Sequence, residues 1–166
     1  MVAKDLTLLE VLSIAIRSET DAQNIYREMA ERVSNPRVEE RFHLLVAEER
    51  QHQNLLEMRY KEFFPDFELK LPPSLLPPTA ATTALRRDLS LREVLNLAIQ
   101  AERDSREIYL EAAAKVNDMG WKSILKSLAD WEHTHQMKLT TEYDMLMKCP
   151  SYYENVAEPW QEELHL

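Results

Sequence analysis

The sequence is poor in cysteine and glycine, with one residue of each among its 166 residues. A single cysteine, Cys149, cannot form an intrachain disulfide, a zinc ribbon or a Cys-x-x-Cys iron site. Because glycine is nearly absent while Glu, Leu, Ala, Arg and Met are abundant, the composition favours helices. A lone thiol is typical of a reducing compartment, so we expect a cytoplasmic protein.

Long apolar segments are also missing. No stretch approaches the roughly 20 apolar residues of a membrane-spanning helix, and acidic residues interrupt the short apolar run near the N-terminus, so we expect no signal peptide. The net charge of −9 at pH 7 disfavours binding to a phosphate backbone. These absences predict a globular protein that binds neither nucleic acid nor membranes.

The sequence does contain an internal repeat with an offset of 83 residues. Residues 6–33 align without a gap to residues 89–116, and half of the aligned positions are identical. A Glu-x-x-His motif follows in each copy at the same offset. A repeat of this kind is stronger evidence than any single motif. The chain is therefore predicted to consist of two copies of a helix pair.

Each copy presents three residues of metal-ligand type. Side chains three residues apart lie on one helix face, about 5–6 Å apart, so each Glu-x-x-His motif directs a carboxylate and an imidazole at one point. The first helix of each pair adds one glutamate within an apolar stripe that repeats in steps of four and three residues, the pattern of a buried seam. The six candidate metal ligands are Glu19, Glu49, His52, Glu102, Glu132 and His135.

Four residues are predicted to cap the helices. Thr7 and Ser90 are each followed three positions later by glutamate, which is the spacing of a capping box. Asn35 precedes a proline that suits the first helical position, and Asp118 is its counterpart in the second copy. The helix pairs are therefore expected at about residues 6–64 and 89–147.

A proline-rich segment separates the two copies. Five of the eight prolines fall between residues 65 and 78, where they exclude a helix. Residues 65–88, extended at about 3.1 Å each, reach about 75 Å. That exceeds the ~42 Å length of a 28-residue helix, so this segment can form the long crossover of a four-helix bundle. We predict one domain, residues 1–166, with a C-terminal extension at 148–166 that forms a short helix near Trp160.

Taken singly, each glutamate could be a surface residue of an acidic helix, and a lone Glu-x-x-His is a common pattern. Two motifs at one offset, joined by two glutamates at the same offset, favour a dinuclear metal site. Four carboxylates carry a charge of −4, which two divalent cations balance. Tyr26 and Tyr109, seven residues after Glu19 and Glu102, are predicted to pack in the core, to hydrogen-bond a ligating carboxylate, or both.

Other repeated acidic residues lie off the ligand stripe. Asp21 and Glu28 have counterparts in Asp104 and Glu111. We interpret these pairs as a solvated face with salt bridges.

With these residues the chain resembles rubrerythrin-type members of the ferritin-like di-iron carboxylate superfamily, over residues 6–146. The resemblance implies an all-α, ferritin-like four-helix bundle with two iron ions as cofactor; a manganese pair or a mixed iron–manganese pair is the alternative. Glu49 and Glu132 would bridge the metals. The chain departs from the family in two features: it has no rubredoxin-like iron domain, and Ser105 stands where the family has an additional glutamate.

The function implied by the resemblance is an oxidoreductase that reduces hydrogen peroxide or dioxygen with ferrous iron in oxidative-stress defence. We expect a separate rubredoxin-like or flavoprotein electron donor and a homodimer. Small residues on the stripe, Ala22 and Ser105, leave room for the oxidant. One alternative is a ferroxidase or iron-handling protein without sustained turnover. Another is a structural bundle with a vestigial site.

Overall fold

The computed structural model describes residues 6–77 and 88–154, and all regular secondary structure in these ranges is helical. This agrees with the predicted all-α four-helix architecture. The predicted helix near Trp160 lies outside the described residues. Among the described helices, none combines the length and the apolar character needed to cross a membrane. The helices are α1 (Leu8–Glu31), α2 (Pro36–Phe63), α3 (Leu91–Lys115), α4 (Met119–Lys148) and the short α5 (Ser151–Glu154).

The four predicted caps are all present. Thr7 and Ser90 form capping boxes, in which the hydroxyl accepts from a backbone N–H three residues on and the glutamate there accepts from the cap N–H. The side chains of Asn35 and Asp118 each accept a backbone N–H of their own helix, at 3.0 and 2.8 Å. Each cap stabilises its helix by about 1 kcal/mol. The helix starts are therefore set by local sequence.

The helices pack in pairs that match the repeat. Helix α1 packs against α2, α3 packs against α4, and α1 also packs against α3. Long side chains bridge α2 and α4, including an ion pair between Arg41 and Glu142 and a ring contact between Phe63 and Trp121 with centroids 4.2 Å apart. The closest helix contacts are thus within each helix pair, and the contact between α2 and α4 is made by side chains.

The buried apolar residues form two separate clusters, and each cluster draws on all four long helices. Phe42 and Leu45 of α2 belong to the first cluster, whereas Leu56 of the same helix belongs to the second. Glu49 lies between them along the helix. The middle of the bundle is therefore occupied by polar groups, with an apolar core on either side.

The described part of the crossover is anchored along the bundle. Leu69 packs against the second cluster and Leu76 against the first, so the chain runs back from the end of α2 along α1. Ser74 Oγ donates to Asp21 Oδ2 at 2.6 Å. This course agrees with the long crossover predicted from the prolines.

The prediction that Asp21 and Glu28 lie on a solvated face is wrong. Asp21 is 8% exposed and Glu28 6% exposed. The crossover covers Asp21, and Glu28 pairs with Arg32, which reaches the backbone just before α3. Their counterparts Asp104 and Glu111 are exposed. The chain has one crossover for two copies of the repeat, which explains the difference at Asp21.

The short helix α5 is fixed to the end of the bundle by backbone and side-chain contacts. Ser34 N donates to Tyr153 O at 3.0 Å, and the Tyr153 hydroxyl lies 2.7 Å from Glu142 Oε2. The Glu142 carboxylate is buried and also accepts from Arg41. Tyr153 and Arg41 thus share one buried carboxylate.

We expect Tyr153→Phe to lower the free energy of unfolding by about 1.5–3 kcal/mol, the usual worth of a hydrogen bond to a charged group. Tyr143→Phe on α4 is the matched control, since the Tyr143 hydroxyl makes no hydrogen bond to a described residue, and it should cost less than about 0.5 kcal/mol. Urea unfolding of both variants measures the difference. Equal stability of the two variants would contradict the proposed role of the Tyr153 hydroxyl.

Candidate metal centre

The six predicted ligands meet in the polar middle of the bundle, between the two apolar clusters. Helix α1 supplies Glu19, α3 supplies Glu102, and α2 and α4 supply one Glu-x-x-His motif each. The four carboxylates and His135 are buried, and His52 is partly buried. The repeat thus places two similar sets of three ligands around one point.

The imidazoles approach the carboxylates through their Nδ1 atoms. His52 Nδ1 lies 3.1 Å from Glu49 Oε2 and 3.5 Å from Glu19 Oε2. His135 Nδ1 lies 2.8 Å from Glu49 Oε1. Glu49 therefore lies between both histidines.

Two overlapping groups of donor atoms have the spacing of a metal site. One donor atom from each of Glu49, His52 and His135 lies within 4.8 Å of the others. The same is true of one donor atom from each of Glu49, Glu102, Glu132 and His135. Glu49 and His135 belong to both groups, while Glu19 joins the cluster through its approach to His52.

Several buried donor atoms of this cluster have no well-aligned hydrogen bond to a described residue, although Glu49 Oε1 and His135 Nδ1 form an ion pair with each other. An unpaired buried polar group costs about 1–3 kcal/mol, so this many in one place calls for another partner. Carboxylate oxygens and imidazole nitrogens together suit divalent iron or manganese. The residues therefore fit two divalent cations. The atoms concerned are Glu19 Oε1 and Oε2, Glu49 Oε1, Glu102 Oε2, Glu132 Oε1 and His135 Nδ1.

In the metal-free protein, burial makes three of the four carboxylates hard to ionise. It raises the pKa of Glu19 and of Glu132 well above the usual value, and the charge of Glu49 adds to the shift at Glu19. Burial also raises the pKa of Glu102, to about 7. Without cations the cluster thus resists holding four negative charges.

Glu49 and His135 behave as an ion pair. Burial opposes ionisation of Glu49, but the interactions with His135 and His52 outweigh it and lower the Glu49 pKa to about 2. Burial likewise opposes protonation of His135, but Glu49 raises the His135 pKa to about 9. Protonated His135 therefore supplies one positive charge that partly balances the carboxylates when no metal cation is bound.

The two repeated tyrosines differ in their contacts. The Tyr26 hydroxyl donates to Glu102 Oε1, which links α1 to α3. The Tyr109 hydroxyl is buried but has no hydrogen bond to a described residue. Burial raises the pKa of both tyrosines well above the usual value, and the charge of Glu102 adds to the shift at Tyr26, as that of Glu132 does at Tyr109. The predicted hydrogen bond to a ligating carboxylate is thus seen for Tyr26 and not for Tyr109.

A cavity of about 320 Å³ reaches the carboxylates from the α1–α3 side. Ala22 and Ser105, the small residues expected to leave room, both line it. Ser105 is buried. The crossover forms part of the wall. Other apolar residues in the wall are Ile25, Leu75, Leu76, Pro77, Leu97 and Ala101.

A family model described as Rubrerythrin matches residues 10–143 of the chain. The chain belongs to the rubrerythrin family. The match includes all six candidate ligands and both tyrosines. A search of curated proteins finds no match.

Solved structures similar to this rubrerythrin-family chain come from three organisms. A hypothetical protein from Pyrococcus furiosus is 29% identical, with a TM-score of 0.74 over 89% of this chain and 94% of that one. A protein from Thermotoga maritima described as ferritin-like and diiron-carboxylate is 26% identical, with a TM-score of 0.66; the match covers 84% of this chain and 95% of that one. An uncharacterized conserved protein from Magnetospirillum magnetotacticum shares the fold. It is 24% identical, with a TM-score of 0.64, and the match covers 84% of this chain and 95% of that one. The bundle is therefore ferritin-like.

Two side chains that the sequence analysis did not identify contact the imidazoles of this rubrerythrin-family site. Glu48 Oε2 lies 3.0 Å from His135 Nε2, and the Trp131 ring stacks on His52 with centroids 4.2 Å apart and planes at 7°. Burial opposes ionisation of Glu48, but Lys138 and His135 outweigh it and lower the Glu48 pKa. The available signal was the repeat: these two residues occupy equivalent positions, each directly before a ligand glutamate.

Proposed function

We propose that this rubrerythrin-family protein is a di-iron oxidoreductase that reduces hydrogen peroxide or dioxygen, as a cytoplasmic homodimer. The observation that supports the proposal is the cluster of four buried glutamates and two histidines, several of whose carboxylate oxygens have no hydrogen bond to a described residue. A charge of −4 on the carboxylates matches two divalent cations. Family membership favours iron among the metals that this donor set suits.

Two ferrous ions bound here would supply two electrons, which with two protons convert one hydrogen peroxide to two waters and leave two ferric ions. The role of the protein is to hold and orient the ligands. In our proposal Glu49 and Glu132 would hold both metals, Glu19 and Glu102 would hold one metal each, and the histidines would complete the two sets. Tyr26 donates to Glu102 Oε1 and leaves Oε2 without a hydrogen bond to a described residue, so Oε2 would be the oxygen that binds a metal.

The cavity on the α1–α3 side gives the oxidant a route to the cluster. Most of the exposed area of its wall is apolar, which limits the number of water molecules beside the carboxylates. On the α2–α4 side, Glu48 contacts His135 and Trp131 stacks on His52, so these side chains cover the histidines there. We therefore propose that the oxidant approaches past Ala22 and Ser105.

Electrons for repeated turnover are proposed to come from a separate rubredoxin-like or flavoprotein donor. The 166 residues contain one cysteine, and a rubredoxin-like site needs four thiolates. We therefore propose that the electrons that reduce the ferric pair come from outside these 166 residues.

We expect ferrous-loaded protein to consume one hydrogen peroxide per two irons in a single fast phase and then to stop. Addition of a rubredoxin-like or flavin donor with its reductant should restore turnover. Stopped-flow absorbance of ferric iron and a peroxide assay measure the two steps. Glu102→Gln should slow the fast phase at least tenfold, while Glu107→Gln, an exposed position on the same helix, should not. Ferrous protein that is inert to peroxide and to dioxygen over minutes would contradict the redox proposal.

A ferroxidase or iron-handling role without sustained turnover is the second candidate, and Ser105 favours it. This buried residue lines the cavity three positions after Glu102, where the family has a further glutamate. If the protein is a peroxidase, Ser105→Glu should raise the donor-supported rate, since position 105 shares a helix face with Glu102. Stoichiometric iron oxidation that no donor converts into turnover would favour iron handling.

A further inference from the structure

The two sets of ligands have the same composition but different surroundings. Every ligand in the first copy has an identical residue 83 positions later. The residue directly before each Glu-x-x-His motif differs between the copies: it is Glu48 in the first copy and Trp131 in the second. Each of these residues contacts the histidine that belongs to the other copy.

The outer face of His135 is held by charged groups. Its Nε2 lies 3.0 Å from Glu48 Oε2, while its Nδ1 faces Glu49. Lys138 Nζ donates to both oxygens of Glu48, at 2.8 and 2.6 Å. Lys138 lies on the same helix as His135, so the carboxylate of Glu48 is fixed against this helix from two points.

The outer face of His52 is held by apolar groups. Trp131 stacks on the imidazole ring, and Leu55, the counterpart of Lys138 in the repeat, lines a surface groove together with Trp131. No carboxylate of the described residues hydrogen-bonds to His52 Nε2. At His52, the apolar residues Trp131 and Leu55 thus occupy the places that Glu48 and Lys138 occupy at His135.

We propose that Glu48 is a positioning residue that makes the metal position at His135 bind divalent cations more tightly than the position at His52. A carboxylate that accepts the Nε2–H of a ligating histidine fixes the tautomer in which Nδ1 has its lone pair toward the metal and strengthens that donor. Stacking on Trp131 orients the ring of His52 but supplies no acceptor. The inference rests on the proposed dinuclear site and predicts that its two positions fill in order.

Zinc titration of metal-free protein tests this order without any measurement of activity. In the wild type, histidine ring NMR signals should shift for His135 during the first equivalent of zinc and for His52 during the second. Calorimetry should resolve two binding steps. Loss of an outer partner of this type usually costs 10–100-fold in metal affinity, so Glu48→Gln should weaken the first step by about that factor and remove the order. Glu40→Gln, an exposed glutamate on the same helix, is the matched control and should change neither step.

A gain-of-function variant provides a second test. Trp131→Glu places a carboxylate beside His52 and should strengthen the second step about tenfold or more, while Trp131→Phe, which keeps an aromatic ring, should not. Two equal steps in the wild type, or an unchanged first step in Glu48→Gln, would overturn the inference while leaving the dinuclear site intact. Uptake of fewer than two zinc ions by the wild type would instead overturn the dinuclear site and with it this inference.

Discussion

Removal of metal should lower the melting temperature of the protein by about 10–20 °C. A ligand that binds only the folded state adds about 2.7 kcal/mol when present at 100 times its dissociation constant, and two such positions add about 5 kcal/mol. For a chain of this length each kcal/mol corresponds to roughly 2–4 °C. The cause is the central cluster, in which carboxylates held together by the fold repel one another until cations balance them.

Calorimetric melting with saturating Mn²⁺ and with a chelator measures this difference. The double variant Glu49→Ala, Glu132→Ala should melt at the same temperature in both conditions, because it lacks the two proposed bridging ligands. The double variant Glu40→Ala, Glu107→Ala removes two exposed glutamates and should respond like the wild type. A metal-dependent shift that survives the loss of Glu49 and Glu132 would place the bound cations elsewhere.

In the metal-free protein, Glu102→Gln should increase stability at pH 8 and should have little effect below pH 4.5. The pKa of Glu102 is raised from 4.5 to about 7 by burial. Below pH 4.5 the carboxyl is protonated in both folded and unfolded chains. Between pH 4.5 and about 7 the unfolded chain ionises first, so the folded state loses stability as the pH rises. Each pKa unit corresponds to about 1.36 kcal/mol. Glu102→Gln avoids this loss and should therefore raise the free energy of unfolding by roughly 3 kcal/mol at most.

Urea unfolding of the chelated protein at several pH values measures this effect. The gap between Glu102→Gln and the wild type should open as the pH passes from 4.5 to about 7 and then stay constant. Glu107→Gln should follow the wild type at every pH. A Glu102→Gln variant that is less stable than the wild type at pH 8 would mean that the buried carboxylates are not crowded.

The features predicted correctly from sequence are those that local rules determine. Thr7, Asn35, Ser90 and Asp118 cap their helices because a side-chain acceptor three or fewer positions from a backbone N–H is a short-range property. The periodicity then sets which residues face the middle of the bundle. Glu19 could be placed beside Glu49 because both lie on apolar stripes that must face each other.

The features missed depend on contacts between distant segments. Glu48 meets His135 across 87 residues of sequence, and Ser74 reaches Asp21 across 53. Neither helical periodicity nor helix capping predicts such contacts, because they depend on how α2 packs beside α4 and on the course of the crossover. Tyr109 shows the same limit: its position in the repeat matches that of Tyr26, yet its hydroxyl finds no hydrogen-bond acceptor among the described residues.

The crossover joins what would otherwise be a two-fold symmetric pair. If α1 and α2 formed the bundle by association of two identical chains, every residue would occur on both sides of the axis. Glu48 would then face both histidines, or Trp131 would, and the two metals would have identical surroundings. A single chain that carries both helix pairs can vary one copy alone. The connection along the bundle thus makes it possible for two chemically similar metals to differ in affinity.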